Sequence, residues 1–148
     1  MGFMDSLNIS ASGMTAERLR MDVIANNLAN VNTTHTANGG PYRRQLAVFS
    51  PAGNNAFDDA MAAASGQGGS ATKGVHVEGI VPDQSPLKRV YEPGHPDADA
   101  QGYVMMPNID TVTEMVDMMS ATRAYEANVT AANAAKGMAQ KAIEIGRA

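Results

Sequence analysis

The chain of 148 residues has no cysteine and no tryptophan, and aromatic residues make up only 5% of it. Without cysteine there is neither a disulfide framework nor a thiolate metal site. With so few aromatics, the apolar fraction of 44% rests largely on alanine and methionine and can fill only a modest central core. Positive charge is scarce too. The net charge of −4 is spread along the chain, so no basic footprint points to nucleic acid. No window approaches the roughly 18 apolar residues a membrane span requires, so no membrane insertion is expected. The opening MGFMDSLNISASGM lacks a basic start, a continuous apolar run and a small-residue cleavage site, so no cleaved secretory signal is expected.

Catalytic patterns are missing as well. His35, His76 and His95 are far apart and share no metal-ligand spacing. Residues 97–102 (DADAQG) mimic the start of a calcium loop, but Asn108 stands where the bidentate glutamate belongs and Pro107 precedes it, so they read as a turn capped by aspartates. Arg43-Arg44 and Lys88-Arg89 are short basic pairs that read as a solvated strand face rather than a phosphate site. There is no glycine-rich phosphate loop, nucleophile elbow or ordered acid–base set. The expectation is a non-enzyme with no catalytic, cofactor-binding or metal-binding residue.

What the chain does have is a long proline-free end. Residues 109–148 contain glycine only at Gly137 and Gly146, and as one helix would run roughly 55 Å. Val112, Met115, Met119 and Thr122 form a stripe along its first half. Beyond Arg123 the apolar positions become small, with Ala124, Ala127, Ala131, Ala132, Ala135 and Ala139, which lets helix axes approach closely. Small or apolar residues fall on nearly every face, as in a helix with several neighbours. At the other end, Leu7, Met14, Met21 and Leu28 recur at heptad spacing, widened by Ile24 and Val31 and interrupted by Arg18. Residues 26–33 (NNLANVNT) then hold Asn26, Asn27, Asn30 and Asn32, a helix-ending cluster that places the stop between Asn30 and Thr33.

Between the helices the period changes to that of strands, at 42–49, 75–81, 87–91 and 102–105, punctuated by Pro82, Pro86, Pro93, Pro96 and Pro107. The fold class expected is therefore α+β, with long N- and C-terminal helices packing on each other and a small central β domain. The division along the chain is an N-terminal helical arm at 1–33, a central β domain at 34–108 with a mobile insert at 50–73, and a C-terminal helix at 109–148. Both arms are poor in bulky apolar side chains relative to the backbone entropy lost on ordering, so they are expected to be largely disordered in a monomer and to fold on assembly.

Residues 26–33 (NNLANVNT) resemble the N-terminal signature of bacterial flagellar rod and hook proteins. The continuation THTANGGPYRR at 34–44, GVHVEGIV at 74–81, SPLKRVYEPGHPDAD at 85–99, GYVMMPNI at 102–109 and EMVDMMSATRAYEANVTAANAAK at 114–136 are similar to the flagellar basal-body rod protein family, its proximal-rod members in particular. The resemblance covers nearly the whole chain apart from 50–73. It implies a structural subunit of the torque-transmitting rod, exported by the flagellar type III route. Its terminal helices would pack as a coiled-coil-like pair forming an inner tube around the export channel, with the β domain outside. The implied partners are copies of itself, other rod proteins, and the basal ring and export apparatus at the proximal end.

The assembly residues expected on this reading are Leu7, Met14, Met21, Ile24 and Leu28 of the seam, Asn26, Asn27, Asn30, Val31 and Asn32 of the asparagine motif, and Met115, Met119, Tyr125, Val129 and Ala132 of the C-terminal helix. Ala132 stands where the family commonly has a larger apolar residue. The alternatives are another axial rod or hook component, a non-flagellar coiled-coil adaptor, or a wall-cleaving hydrolase. The last would need paired acids converging in a cleft, and the strands carry only scattered ones.

Overall fold

The computed structural model describes residues 3–37, 39–52, 64 and 74–146. The insert expected at 50–73 lies outside these residues except for 50–52 and 64. The elements run α1 (Phe3–Ala29), β1 (Gln45–Pro51), β2 (Val75–Pro82), β3 (Lys88–Tyr91), β4 (Tyr103–Met106) and α2 (Thr111–Ile145), an α+β fold with long helices at the two ends. The strands form two separate two-stranded sheets, β1 with β2 and β3 with β4. β3 and β4 are antiparallel, with Lys88 opposite Met106 and Tyr91 opposite Tyr103.

Both helix boundaries have a local chemical cause. At the end of α1, Asn30 donates from its backbone N–H and from Nδ2 to the carbonyl of Asn26, at 3.1 and 2.9 Å. Thr33 Oγ1 then donates to Asn30 Oδ1 at 3.1 Å, so the side chain that stops the helix is itself fixed. The stop falls one residue before the expected 30–33 window, as is usual for frayed helix ends. At the start of α2, Asp110 caps the helix. Its Oδ1 accepts from the N–H of Val112 at 3.0 Å and its carbonyl from that of Glu114 at 2.9 Å.

The chain divides into two compact units. The first comprises Met1–Arg18, Val48–Gly79 and Thr122–Ala148. In it α1 and α2 come very close: a Cβ built on Gly13 would sit 2.9 Å from Asn128 Nδ2, so glycine is what admits that side chain. The turn into β2 is equally tight. Gly74 has φ of +108°, and Ser12 Oγ, which accepts from the N–H of Val75 at 3.2 Å, fills the space a Cβ would need. The buried residues of this unit, among those described, are Ser10, Ala16 and Ala135. None is a large apolar side chain.

The second unit comprises Leu19–Ala47 and Ile80–Ala121, and its interior is different. Val23, Ile24, Val104, Pro107, Ile109 and Ala121 are buried there, together with the polar residues Asn27 and Glu114, each 1% exposed. The β3–β4 hairpin carries an exposed ring cluster, in which the Arg89 guanidinium lies 4.2 Å from the centre of the Tyr103 ring and Tyr91 meets Tyr103 edge-on at 5.2 Å.

Candidate functional site

The centre of the second unit is built on one amide. Asn27 occupies the last turn of α1, and burial leaves its four hydrogen-bonding positions no access to water. All four are satisfied by the chain. Oδ1 accepts from the N–H of Gln45 at 2.9 Å and from Tyr42 OH at 3.1 Å. Nδ2 donates to the carbonyl of Gln45 at 2.9 Å and to Glu114 Oε2 at 3.2 Å. The paired bonds to the N–H and C=O of Gln45 are those a neighbouring strand residue makes. The side chain of a helix residue thus serves as the pairing partner at the start of β1.

Glu114, in the first turn of α2, is the second anchor. Its Oε1 accepts from Arg44 Nε, and Arg44 Nη2 also donates to Asp117 Oδ2 at 3.0 Å. The Arg44 backbone N–H donates to Asn108 Oδ1 at 2.9 Å. The buried carboxylate therefore has a cation and an amide as partners, the condition under which a buried charge is tolerated. Tyr42 feels the same surroundings: burial, and then the Glu114 carboxylate, raise its hydroxyl pKa above the ordinary tyrosine value. Chemically the constellation is a clamp. A cavity of about 240 Å³ opens beside it, lined among others by Asn27, Arg44, Glu114 and Asp117, and among the described residues no group of histidine, aspartate and glutamate side chains could hold a metal ion.

With this clamp turned inward, the apolar side chains of α2 turn outward. Val112, Met115, Val116 and Met119 are 63, 49, 50 and 55% exposed. Their spacing of three, four and seven residues makes one continuous stripe. The inward face carries Glu114 and Ala121 instead, both buried. Over its first turns the helix thus buries one acid, Glu114, and leaves an apolar stripe exposed.

The expected assembly residues fall into distinct environments. Leu7, Met14, Met21 and Leu28 are each half-buried along α1, and Val31 is half-buried just beyond it. Ile24 and Asn27 are buried within the second unit. Asn26 and Asn32 are exposed, while Asn30 is half-buried and Asn26 and Asn30 are bonded to each other through their side chains at 2.8 Å. On α2, Met115 and Met119 lie on the exposed stripe, and Tyr125, Val129 and Ala132 are half-buried. The structure adds Val116 to the stripe of Val112, Met115 and Met119, and Tyr42, Arg44, Asn108 and Glu114 to the clamp. A signal for Glu114 was present in the seven-residue series Glu114, Ala121, Asn128 and Ala135, small or polar throughout, which marks the inward face.

The turn at 93–103 accounts for the aspartates that resemble a calcium loop. Asp97 Oδ2 accepts from Thr34 Oγ1 at 2.7 Å, and Asp99 Oδ1 accepts from the N–H groups of Gln101 and Tyr103 at 2.8 and 2.9 Å. These bonds, the Tyr103 one first, hold the Asp99 carboxyl below the usual carboxylate range. Asp83 is held low in the same way, first by the hydroxyl and then by the N–H of Ser85.

Comparison with known proteins bears on both ends of the chain and on its whole length. Residues 7–34 match the flagella basal body rod protein family, and residues 100–145 match the flagellar basal body rod FlgEFG protein C-terminal family. The chain is 48% identical to the flagellar basal-body rod protein FlgC of Borreliella burgdorferi over 149 aligned positions, covering 98% of each chain. It is 49% identical to the protein of the same name from Bacillus subtilis, covering 96% of this chain and 97% of that one. It is 42% identical to the one from Salmonella typhimurium, covering 99% of this chain and all of that one. The chain belongs to the flagellar basal-body rod protein FlgC family.

Proposed function

We propose that the chain is a structural, non-enzymatic subunit of the proximal rod of the flagellar basal body, joined to its neighbours through its terminal helices. The observation that carries this reading is the exposed apolar stripe of Val112, Met115, Val116 and Met119 on α2, which faces outward while Glu114 is buried. An apolar stripe at helical spacing fits a helix from another subunit. The half-buried seam of Leu7, Met14, Met21 and Leu28 offers a second such face on α1. The first unit supports the same conclusion, because its small buried residues give little apolar burial to hold the outer ends of the helices.

On this reading the clamp fixes the inner ends of both helices, and the outer ends complete their ordering on assembly as a coiled-coil-like pair. Copies of the chain, other rod proteins and the proximal ring and export apparatus are the partners, and the flagellar type III route delivers it. Val116→Glu tests the proposal. The side chain is half exposed, so the second unit stays folded. A cell carrying this variant as its sole copy is expected to be non-motile, with the chain missing from isolated basal bodies. Normal motility with normal incorporation would overturn the reading. Met21→Glu on the α1 seam is expected to give the same phenotype.

A further inference from the structure

Five methionines are well exposed among the described residues: Met4, Met105, Met115, Met119 and Met138. Two of them, Met115 and Met119, stand one helical turn apart in the centre of the outward stripe, flanked by Val112 and Val116. A methionine thioether is apolar and deformable, and it packs against a neighbouring helix as readily as leucine. Its sulfur is also the one nucleophilic atom on that stripe. When a peroxide reaches it, a sulfur lone pair attacks one peroxide oxygen, an S–O bond forms and the O–O bond breaks. The other peroxide oxygen departs as hydroxide, takes the proton of the new S–OH group to become water, and the thioether is left as a sulfoxide. The product is polar, a strong hydrogen-bond acceptor, and poorly suited to a dry helix contact.

We propose that Met115 and Met119 form an oxidation-sensitive site that controls whether the subunit can be built into the rod. In the free chain both sulfurs are open to hydrogen peroxide, and a sulfoxide at either prevents the stripe from seating against a neighbouring subunit's helix. Once seated, the stripe excludes the oxidant, so the assembled subunit is protected. The selection acts before assembly: a damaged subunit is left out, and an intact one is shielded afterwards. This inference rests on the proposed assembly role of the stripe, and its test separates the two.

The purified full-length chain and isolated basal bodies are treated with the same dose of hydrogen peroxide, and sulfoxide at each methionine is quantified by peptide mass spectrometry. Met115 and Met119 are expected to oxidise in the free chain faster than Met21 and Met106, which are half-buried in the second unit, and to be protected at least about tenfold in the basal body. In cells, Met115→Leu/Met119→Leu should incorporate normally and continue to do so after sublethal peroxide, whereas incorporation of the parent chain falls. Met115→Gln/Met119→Gln, which places polar groups there without oxidant, should lower incorporation roughly tenfold or more. Met105→Leu/Met138→Leu should leave the sensitivity of the parent chain unchanged. Equal oxidation in the free and assembled states, or normal incorporation of the glutamine variant, overturns the proposal. If Val116→Glu still blocks incorporation in that case, the assembly role stands and only the oxidative control falls.

Discussion

The bonding of Asn27 turns one side chain into a quantitative test. Asn27→Ala removes two donors and two acceptors at a site that is 1% exposed. It strands the N–H and C=O of Gln45, the hydroxyl of Tyr42 and one oxygen of Glu114. Three of the lost bonds are neutral and the fourth is to a carboxylate, which places the expected destabilisation of the second unit at about 3–5 kcal/mol. Asn27→Asp is the sharper control. It is nearly isosteric and keeps one acceptor for Gln45 N–H and Tyr42 OH. The atom replacing Nδ2 is an oxygen, however, set against the Gln45 carbonyl and the Glu114 carboxylate. That substitution should therefore be at least as damaging as alanine, despite its better fit in size. Urea denaturation of the full chain gives the magnitudes, and amide exchange at Gln45 reports whether the docking on β1 has been lost. Variants both within about 0.5 kcal/mol of the parent, or an aspartate variant clearly milder than the alanine one, would refute the clamp.

Three further outcomes follow from the same geometry. The raised pKa of Tyr42 means that its stabilising contribution is complete below the ordinary tyrosine value near 10 and is lost as pH rises through the folded value. Tyr42→Phe should flatten the alkaline fall in stability measured by denaturant titration across that range. Ser85→Ala removes the hydroxyl bond that is the largest cause of the low Asp83 pKa, so a carboxyl-carbon NMR titration should show Asp83 moving back up toward ordinary aspartate. Gly74→Ala places a methyl against Ser12 Oγ and holds alanine at a positive φ. A loss of roughly 1–2 kcal/mol is expected, with faster amide exchange at Val75, whose N–H donates to that oxygen.

The elements of this fold were legible because each has a strong local pattern. The asparagine cluster at 26–33 ends α1 within a residue of its expected place, since Asn30 closes the helix with bonds to a residue four positions away. The strands expected at 75–81, 87–91 and 102–105 appear as Val75–Pro82, Lys88–Tyr91 and Tyr103–Met106, bounded by the prolines and glycines that mark them. The interior was much less legible, because its key bonds span long stretches of chain. Nothing near Asn27 in sequence announces that its amide pairs with Gln45, eighteen residues on, or with Glu114, eighty-seven residues on. On α2 the large apolar residues Val112, Met115, Val116 and Met119 face out and the acid Glu114 faces in. That arrangement is the expected pattern for a subunit whose stable state lies partly in its neighbours. The heptad residues Leu7, Met14, Met21 and Leu28 fit the same logic, since a single chain covers each of them only in part.

Electron cryo-microscopy of isolated basal bodies, with this chain traced in the rod density, tests the central claim most directly. The account expects the outward stripe of Val112, Met115, Val116 and Met119 to be packed against a helix of an adjacent subunit, with the Asn27–Glu114–Arg44 clamp intact beneath it. A rod in which that stripe faces open solvent, and in which subunits meet only through the strands, would contradict it.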